Sequence, residues 1–328
     1  MKKVGIITMH RVQNNGSVLQ AFALQKIIED FGYTCEIIDY YYPNKYHEQI
    51  RYGKSVLSYR RLSYIFKKVI KYIIQTNRSI DLFRQKYLHL SAVKFKTIQS
   101  LTNSKMDYDI YVSGSDQIWN PAHCYYDDSF MLSFVNDKKK ISYASSITQT
   151  QVDSSFSDLL LKNLNTYSYI GVREQQSKNI IEKITNKQVA INCDPVILLE
   201  KKFWLSLVQS DNQENKPYVL FYLLKYSFNP YPGIEPLITQ ILTNTGLQPI
   251  FLYGNKNIAR KYKGKNIIKV GPIEFLKLIN NASLVITTSF HGTCFSVLFE
   301  KDFYSLLEEK ESKKDERILS LLSRLNLT

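Results

Sequence analysis

One histidine lies where a strand is predicted to end and a helix to begin. His291 stands in the run ITTSFHGT, residues 286–293. The first turn of a helix exposes backbone N–H groups and the positive end of the helix dipole, which suit a phosphate or a carboxylate. The candidate anion-binding residues here are Ser289, Phe290, His291 and Gly292. A histidine can also donate or accept a proton near neutral pH. The alternative is a histidine that only caps the helix.

Two cations follow other predicted strands. Arg173 comes directly after the predicted strand 169–172, and its planar guanidinium suits bidentate recognition of a carboxylate or phosphate. The alternative for Arg173 is a structural ion pair with Glu174 or Asp194. Lys225 ends the first predicted strand of the second half of the chain, and the predicted topology directs it toward the same cleft.

Polar amides precede the first predicted helix. Asn14, Asn15 and Gly16 connect the first strand to a helix that Ser17 can cap. Such amides suit sugar hydroxyls or an anion, and a plain turn explains them equally well. The GxGxxG spacing is missing, which argues against dinucleotide binding.

The loop SGSDQIWNP, residues 113–121, also follows a predicted strand. Small residues such as Ser115 let a ligand approach the backbone, and Asp116 and Gln117 can bind hydroxyls. Trp119 offers a flat apolar face, so the combination suits a sugar. Clusters of Gly, Ser and Asp are also ordinary loop chemistry, which is the alternative.

Alternating strands and helices must position these residues. Strands are predicted at 3–8, 35–39, 109–113, 141–145, 169–172 and 189–192, and again at 218–224, 249–253, 267–270, 284–287 and 303–306. Helices are predicted between most of them, so the pattern favours parallel sheets. We predict an α/β protein of two facing Rossmann-like domains, residues 1–199 and 200–328, in the glycosyltransferase B-type architecture. This arrangement places a ligand between the carboxyl ends of the two sheets.

The positive charge is concentrated in residues 51–105. This stretch holds thirteen Lys or Arg residues and one acid, Asp81, and therefore carries +12 of the net charge of +14. Apolar residues at helical spacing between 62 and 74 predict a basic helical insertion. It has three interpretations: a packed helix with a solvated basic face, docking on an anionic membrane surface, and nucleic-acid binding. No nucleic-acid motif accompanies the charge, so we expect no nucleic-acid partner.

Several other classes of protein are excluded. No apolar run reaches the length of a membrane-spanning helix, and the first apolar stretch is interrupted by His10 and Arg11, unlike a signal peptide. The four cysteines are far apart and form no zinc or disulfide pattern, which fits a reducing compartment. We expect a cytoplasmic protein without a metal site.

The motifs together resemble the polysaccharide pyruvyl transferase family. The matching stretches lie in the family's order at residues 4–24, 112–121, 142–146, 171–174, 193–198 and 285–303. The resemblance implies transfer of the carbon skeleton of phosphoenolpyruvate to two hydroxyls of one sugar residue, forming a cyclic ketal and releasing phosphate. It implies no cofactor, since phosphoenolpyruvate is the donor substrate. It also implies a sugar or lipid-linked oligosaccharide acceptor in surface or capsular polysaccharide biosynthesis.

The resemblance implies roles for some of the candidate residues. His291 would be the general acid. The resemblance does not assign Asp116, and our own hypothesis is that it orients or deprotonates the attacking hydroxyl. The C-terminal domain would bind phosphoenolpyruvate and the N-terminal domain the acceptor, near Asn14, Asp116, Gln117 and Trp119. Some members carry an arginine where this chain has Ser289. An additional anion contact is therefore expected from Arg173, Lys225 or Arg317.

Two other functions fit the same architecture. A glycosyltransferase that uses a nucleotide sugar would bind a nucleotide rather than phosphoenolpyruvate. A non-catalytic glycan-binding protein would lose no turnover when His291 is replaced. For the family's reaction, the basic stretch predicts peripheral attachment at the inner face of the cytoplasmic membrane, where lipid-linked acceptors are assembled.

Overall fold

The computed structural model describes residues 1–43, 78–208, 216–225, 228–308 and 315–327. The chain divides into two compact units, Met1–Pro195 and Val196–Thr328. The division lies four residues before the predicted boundary after residue 199. Each unit is built around one parallel sheet, as the α/β prediction requires.

The N-terminal unit contains a seven-stranded parallel sheet in the order β3-β2-β1-β4-β5-β6-β7. Its strands are β1 (Lys3–Ile7), β2 (Thr34–Tyr40), β3 (Leu90–Phe95), β4 (Ile110–Asp116), β5 (Lys139–Ser145), β6 (Tyr169–Val172) and β7 (Ala190–Ile191). Its helices are α1 (Asn15–Asp30), α2 (Arg78–Tyr87), α3 (Ile98–Thr102), α4 (Pro121–Cys124), α5 (Ser154–Leu164) and α6 (Gln175–Thr185). Helix α7 (Pro195–Leu198) lies at the division between the units.

The C-terminal unit contains a five-stranded parallel sheet in the order β10-β9-β8-β11-β12. Its strands are β8 (Tyr218–Tyr222), β9 (Gln248–Leu252), β10 (Lys265–Ile267), β11 (Leu284–Thr287) and β12 (Phe303–Ser305). Its helices are α8 (Lys201–Leu207), α9 (Glu235–Thr245), α10 (Lys256–Lys261), α11 (Pro272–Asn280), α12 (Phe290–Leu298) and α13 (Glu316–Arg324). Phe221 and Phe251 stack in its core with ring centroids 5.0 Å apart.

Each sheet has one point where the strand order reverses. The chain adds β2 and β3 on one side of β1 and then β4 on the other side. It likewise adds β9 and β10 on one side of β8 and then β11 on the other. Ligands of open α/β sheets bind outside the carboxyl ends of the strands at such switch points. The fold therefore gives one candidate position for a ligand in each unit.

The prediction of a basic helical insertion over 51–105 is wrong for its last part. Residues 44–77 lie outside the described part of the chain, and with them the predicted amphipathic helix and the basic side chains proposed for membrane docking. After α2, however, Leu90–Phe95 forms strand β3, which pairs in parallel with β2. Phe95 is buried and Ala92 to Lys94 are exposed, as suits the edge of a sheet. No helix in the described ranges has the length and hydropathy needed to cross a membrane.

The predicted strand at 267–270 is also wrong in its position. Strand β10 occupies Lys265–Ile267 because these residues pair with Ile250 to Leu252 of β9. Ile268 follows the strand and is 63 % exposed, so its apolar character does not mark a core position.

The buried carboxylate of Asp39 connects the end of β2 to the segment after β1. Nε2 of His10 lies 3.1 Å from Oδ1 of Asp39, and Arg11 donates to the carboxylate from Nε and Nη2 at 2.5 Å each. Burial alone would raise the pKa of Asp39, but the hydrogen bonds from His10 and Arg11, with the charge of Arg11, hold that pKa below its ordinary value. Asp39 is therefore ionised in the folded protein at neutral pH.

We predict that Asp39→Asn lowers the free energy of unfolding by about 3–5 kcal/mol at pH 7, the usual cost of breaking a buried ion pair. Because the folded-state pKa is depressed, the stabilisation by Asp39 is present above the ordinary carboxyl pKa of about 4 and is lost as the pH falls below it. Urea unfolding at a series of pH values should therefore show a shallower acid dependence for Asp39→Asn. Equal slopes for the two proteins would contradict this role.

Candidate active site

The switch point of the C-terminal sheet is occupied by the first turn of α12. Ser289 is the N-cap residue, and its Oγ accepts a hydrogen bond from the N–H of Gly292 at 3.3 Å. The N–H of Ser289 donates to Oγ1 of Thr287, the last residue of β11, at 3.0 Å. His291 lies in this first turn with 7 % of its surface exposed. The cap is a neutral hydroxyl, so no carboxylate of the cap neutralises this end of the helix dipole.

Gly292 allows α12 to begin directly on the sheet. A Cβ atom at this position would lie 2.5 Å from Oγ1 of Thr287 and 2.9 Å from the ring of Tyr222. Thr287 in turn donates from Oγ1 to the carbonyl of Tyr222 at 2.9 Å, which connects the carboxyl ends of β11 and β8. The glycine therefore places His291 at the junction of these two strands.

Two of the predicted cations belong to the same unit. The Arg317 guanidinium, carried by α13, lies 5.3 Å from the centre of the Phe290 ring and forms an ion pair with Asp315. The ring of Phe290 meets that of His291 edge to face, with centroids 5.3 Å apart. Lys225 is exposed after β8, and its Nζ lies 4.8 Å from the ring centre of Tyr231. Arg317 is thus brought beside the His291 turn by a separate helix.

A buried ionic cluster occupies the carboxyl edge of the N-terminal sheet. Arg173 donates from Nη1 to Oδ2 of Asp194 at 2.5 Å, from Nη2 to Oδ1 of Asp116 at 3.1 Å, and from Nε to Oγ of Ser146 at 2.9 Å. Arg173 as a whole is 3 % exposed. Burial alone would lower the pKa of Arg173, but the carboxylates of Asp194, Asp116 and Glu174 raise it, so the side chain stays charged. The structure favours the pairing with Asp194 over anion binding as the role of Arg173.

Asp116 faces the first turn of α1 at the switch point between β1 and β4. Ser17 donates from Oγ to Oδ2 of Asp116 at 2.7 Å. The N–H of Ser17 donates to the side chain of Asn14, which is the N-cap residue. A carboxylate of the protein therefore already lies at the N-terminus of this helix, where its charge is favourable to the helix dipole.

The other residues predicted on this edge are buried or hydrogen-bonded within the unit. Asn15 and Gly16 lie in the first turn of α1 and are buried. Ser115 donates from Oγ to the carbonyl of Ala144 at 2.9 Å and is also buried. Gln117 is half-buried, and its Oε1 accepts hydrogen bonds from the side chains of Asn120 and Thr148. Of these four residues, only Gln117 keeps a partly exposed side chain.

The prediction that Trp119 offers a face to a sugar is wrong. Trp119 is 0 % exposed, and its indole N–H donates to the carbonyl of Phe130 at 3.0 Å. It belongs to the apolar core of the N-terminal unit with Phe130 and Tyr167. A large aromatic ring with its one polar atom satisfied gains most by complete burial, which outweighs its position in a polar loop.

The structure therefore forms two clusters, each within one unit. One joins Ser289, Phe290, His291 and Gly292 with Arg317; the other joins Asp116 with Arg173. Sequence reasoning did not identify Ser17 and Ser146 as members of the second cluster, because a serine gives no signal of its partner across the fold. In the described ranges, no group of three or more His, Cys, Asp or Glu side chains is arranged to hold a metal ion.

Comparison with known proteins identifies a family for most of the chain. A family model described as polysaccharide pyruvyl transferase matches residues 14–308. No curated protein matches the sequence significantly.

Solved structures resemble the chain in fold. A putative UDP-N-acetylglucosamine 2-epimerase from Listeria monocytogenes has a TM-score of 0.56 at 12% identity, covering 99% of this chain and 88% of the other. MnaA from S. aureus, solved with UDP, has a TM-score of 0.53 at 11% identity, with coverage of 99% and 88%. These are glycosyltransferase B-type folds, so the prediction of two α/β domains with parallel sheets, of this fold class, is confirmed. At this identity the likeness concerns the fold alone.

The geometry of Arg173 predicts a structural role. Arg173→Ala removes the guanidinium and leaves the carboxylates of Asp116 and Asp194 buried without their cation. The free energy of unfolding should therefore fall by about 3–5 kcal/mol. Arg173→Lys should be intermediate because an ammonium cannot reproduce the three-way fork. Chemical denaturation measures both, with Arg260→Ala, an exposed arginine of α10, as the control. A variant of Arg173 that keeps its stability and loses only affinity for anions would contradict this assignment.

Proposed function

Because the chain belongs to the polysaccharide pyruvyl transferase family, we propose that it transfers the pyruvyl carbon skeleton of phosphoenolpyruvate to two hydroxyls of one sugar residue. The product is a cyclic ketal, and phosphate is released. The observation that carries the proposal is the position of His291, buried in the first turn of α12 at a switch point and adjacent to the aromatic ring on which Arg317 lies.

The reaction needs an acid beside an anion site. One sugar hydroxyl adds to the carbon that bears the phosphate oxygen, while the methylene carbon takes up a proton and becomes a methyl group. The second hydroxyl then replaces the phosphate on the same carbon, which breaks the bond from carbon to the phosphate oxygen. Of the two hydroxyl protons, one balances the proton gained by carbon and the other leaves with phosphate. His291 is the proposed donor of the proton to carbon, a transfer that typically contributes about 10²–10⁴ in rate.

The proposed donor site lies in the C-terminal unit. Phosphoenolpyruvate carries a carboxylate and a phosphate, and the first turn of α12 presents the positive end of the helix dipole. The N–H groups of Ser289 and Gly292 already donate to Thr287 and Ser289, so the helix dipole rather than these two donors is the proposed attraction.

Arg317 is the proposed nearby cation, although its Nε and Nη2 donate to Asp315. Arg173 is not proposed here because it lies in the other unit, paired with Asp194 and Asp116. Lys225 is exposed after the neighbouring strand β8 and is the second candidate cation.

The proposed acceptor site lies at the N-terminal switch point. Three buried carboxylates, Asp116, Asp194 and Glu174, surround the single guanidinium of Arg173, so this edge carries excess negative charge. The phosphate of a ligand would be repelled there, whereas the hydroxyls of a neutral sugar can donate hydrogen bonds to the carboxylates. Asp116 is 7 % exposed and is the proposed acceptor of a proton from the attacking hydroxyl. Asn14 and Gln117 remain the proposed polar contacts beside Asp116.

Attachment of the protein to an anionic membrane stays a prediction.

The direct test is turnover. The protein is incubated with phosphoenolpyruvate and a panel of aryl and lipid-linked glycosides. The molecular masses of the products are measured, and the release of phosphate is followed. A product heavier than the acceptor by pyruvate less one water, with matching phosphate release, is the expected result. Turnover of a nucleotide sugar without use of phosphoenolpyruvate would overturn the proposal and identify a glycosyltransferase.

His291 gives a first prediction. His291→Ala should retain the fold and most affinity for phosphoenolpyruvate while kcat falls by about 10²–10⁴, because the proton donor is lost. Steady-state kinetics and direct calorimetric titration separate the two quantities. His123→Ala, at an exposed histidine of α4, is the matched control and should keep kcat. A near-normal kcat for His291→Ala would remove this residue from the mechanism.

Arg317 gives a second prediction. Arg317→Ala should raise the KM for phosphoenolpyruvate by roughly 10- to 100-fold, since a charge-assisted hydrogen bond contributes about 1.5–3 kcal/mol. The KM for the acceptor should change little. Arg324→Ala on the same helix removes the same charge at an exposed position and serves as the control. Equal effects of the two variants would show that α13 acts only through overall charge or packing.

A further inference from the structure

A small hydrogen-bond network holds the side chain of Gln117 at the carboxyl edge of the N-terminal sheet. Its Oε1 lies 2.8 Å from Nδ2 of Asn120 and 2.9 Å from Oγ1 of Thr148. Nδ2 of Asn120 also donates to Oγ1 of Thr148 at 2.5 Å, so each of the three side chains contacts the other two. Gln117 is half-buried. The network therefore decides which end of the Gln117 amide is left for a ligand.

A backbone N–H group fixes the direction of this network. The oxygen and the nitrogen of a side-chain amide have nearly the same shape, and their assignment depends on their partners. The N–H of Ala122 can only donate, and it lies 3.0 Å from one amide atom of Asn120, which must therefore be Oδ1. The other atom, Nδ2, can only donate, so the Gln117 atom that it contacts must be the oxygen Oε1. Asn120 therefore directs the NH₂ group of Gln117 away from the network.

The amide nitrogen of Gln117 is the atom that remains for a ligand. Within the described part of the chain, Nε2 has no hydrogen-bond partner, and it is not one of the buried polar atoms that lack one. Nε2 is therefore open to solvent. An amide nitrogen donates and cannot accept, and Oε1 already has two contacts. Gln117 is thus set to donate to an oxygen of a ligand rather than to accept from a hydroxyl.

Gln117 and Asp116 are held against the same segment of chain after β5. The two residues are consecutive, so their Cα atoms are about 3.8 Å apart. The carbonyl of Asp116 accepts from the N–H of Ser146 at 2.9 Å, while the side chain of Gln117 contacts Thr148. The Glu174 carboxylate binds both ends of this segment, the hydroxyl of Ser146 at 2.8 Å and the N–H of Thr148 at 3.3 Å. A sugar residue at Asp116 therefore lies beside the Gln117 amide.

We propose that Nε2 of Gln117 donates a hydrogen bond to an oxygen of the acceptor sugar, and that Asn120 is the positioning residue that makes Gln117 a donor. This inference rests on the proposed function, which places the acceptor at Asp116. The two neighbours then have opposite roles. Asp116 accepts a proton from one hydroxyl, and Gln117 donates to a second oxygen of the same sugar residue.

The orientation of the amide can be tested without any ligand. The side-chain amide protons of Gln117 should exchange rapidly with water and those of Asn120 slowly, because only the latter are bonded within the protein. Asn120→Asp keeps an acceptor for the N–H of Ala122 but removes the donors, so the Gln117 amide should turn over and its protons should become protected. NMR of protein with ¹⁵N-labelled glutamine and asparagine measures both. Slow exchange of the Gln117 protons in the wild type would overturn the inference.

A kinetic test changes the outer atom of Gln117 from a donor to an acceptor. Gln117→Glu keeps one oxygen for Asn120 and Thr148 and places a second oxygen where Nε2 was. The KM for the glycoside acceptor should rise by about 3- to 10-fold, the scale of one hydrogen bond, with a smaller change in kcat. Asn120→Asp should raise the same KM, because the turned amide presents its oxygen.

A charge control accompanies both variants. Gln151→Glu adds the same charge at an exposed glutamine three residues after Thr148, and its KM for the acceptor should equal that of the wild type. A wild-type KM in either Gln117→Glu or Asn120→Asp would overturn the inference and leave ketal formation in place.

A binding test separates this inference from the proposed function. Aryl glycosides of galactose, glucose and mannose are titrated into the protein without phosphoenolpyruvate, and the side-chain amide signal of Gln117 is followed by NMR. A shift with at least one glycoside in the wild type, absent in Asn120→Asp, supports the inference even if no ketal is ever formed. If this signal responds to none of the glycosides, the role of Gln117 falls, whether or not the protein forms a ketal.

Discussion

The guanidinium of Arg173 holds together the carboxyl ends of the strands of the N-terminal sheet. It follows β6 and binds Asp116 at the end of β4, Ser146 just after β5 and Asp194 just after β7. Parallel strands place all these ends on one edge, and loops alone would leave that edge loosely ordered. A buried cation with three protein acceptors fixes the edge at the cost of desolvating its charge. The position of Asp116 against Ser17, and with it the proposed acceptor site, depends on this interaction.

The two switch points differ in charge, although they share one architecture. In the N-terminal unit, Asp116 lies at the first turn of α1, so the protein has supplied the anion that the helix favours. In the C-terminal unit, the neutral hydroxyl of Ser289 caps α12, and the guanidinium of Arg317, paired with Asp315, lies on the neighbouring Phe290 ring. An anionic donor is therefore favoured at the second position and a hydroxylic acceptor at the first. The division of substrates in the proposed function follows from this difference.

The sequence identifies the ends of strands better than it identifies which side chains contact each other in the folded protein. The position of His291 was predictable because an apolar strand, a cap and a small residue are all local signals. Strand β3 was missed because Leu90–Phe95 lies within a basic stretch and shows its pattern only when paired with β2. Trp119 was misassigned because its burial depends on contacts with Phe130 and Tyr167, which lie outside the loop and which the loop's own composition does not reveal. Arg173 was located correctly as a strand-end residue. Whether it binds a ligand or pairs with Asp194 depends on tertiary distances that the sequence does not show.

The proton donor and the cation of the proposed donor site come from different segments of the chain. His291 belongs to α12 and is fixed by the close contact of Gly292 with Thr287 and Tyr222. Arg317 belongs to α13, the last described helix, and reaches the site across the ring of Phe290. Its pairing with Asp315 orients the guanidinium but also reduces its net charge at a distance. Arg317 therefore acts only at short range, on an anion already bound at the first turn of α12. For this reason the packing of α13 against α12 is part of the proposed site and not a peripheral feature of the fold.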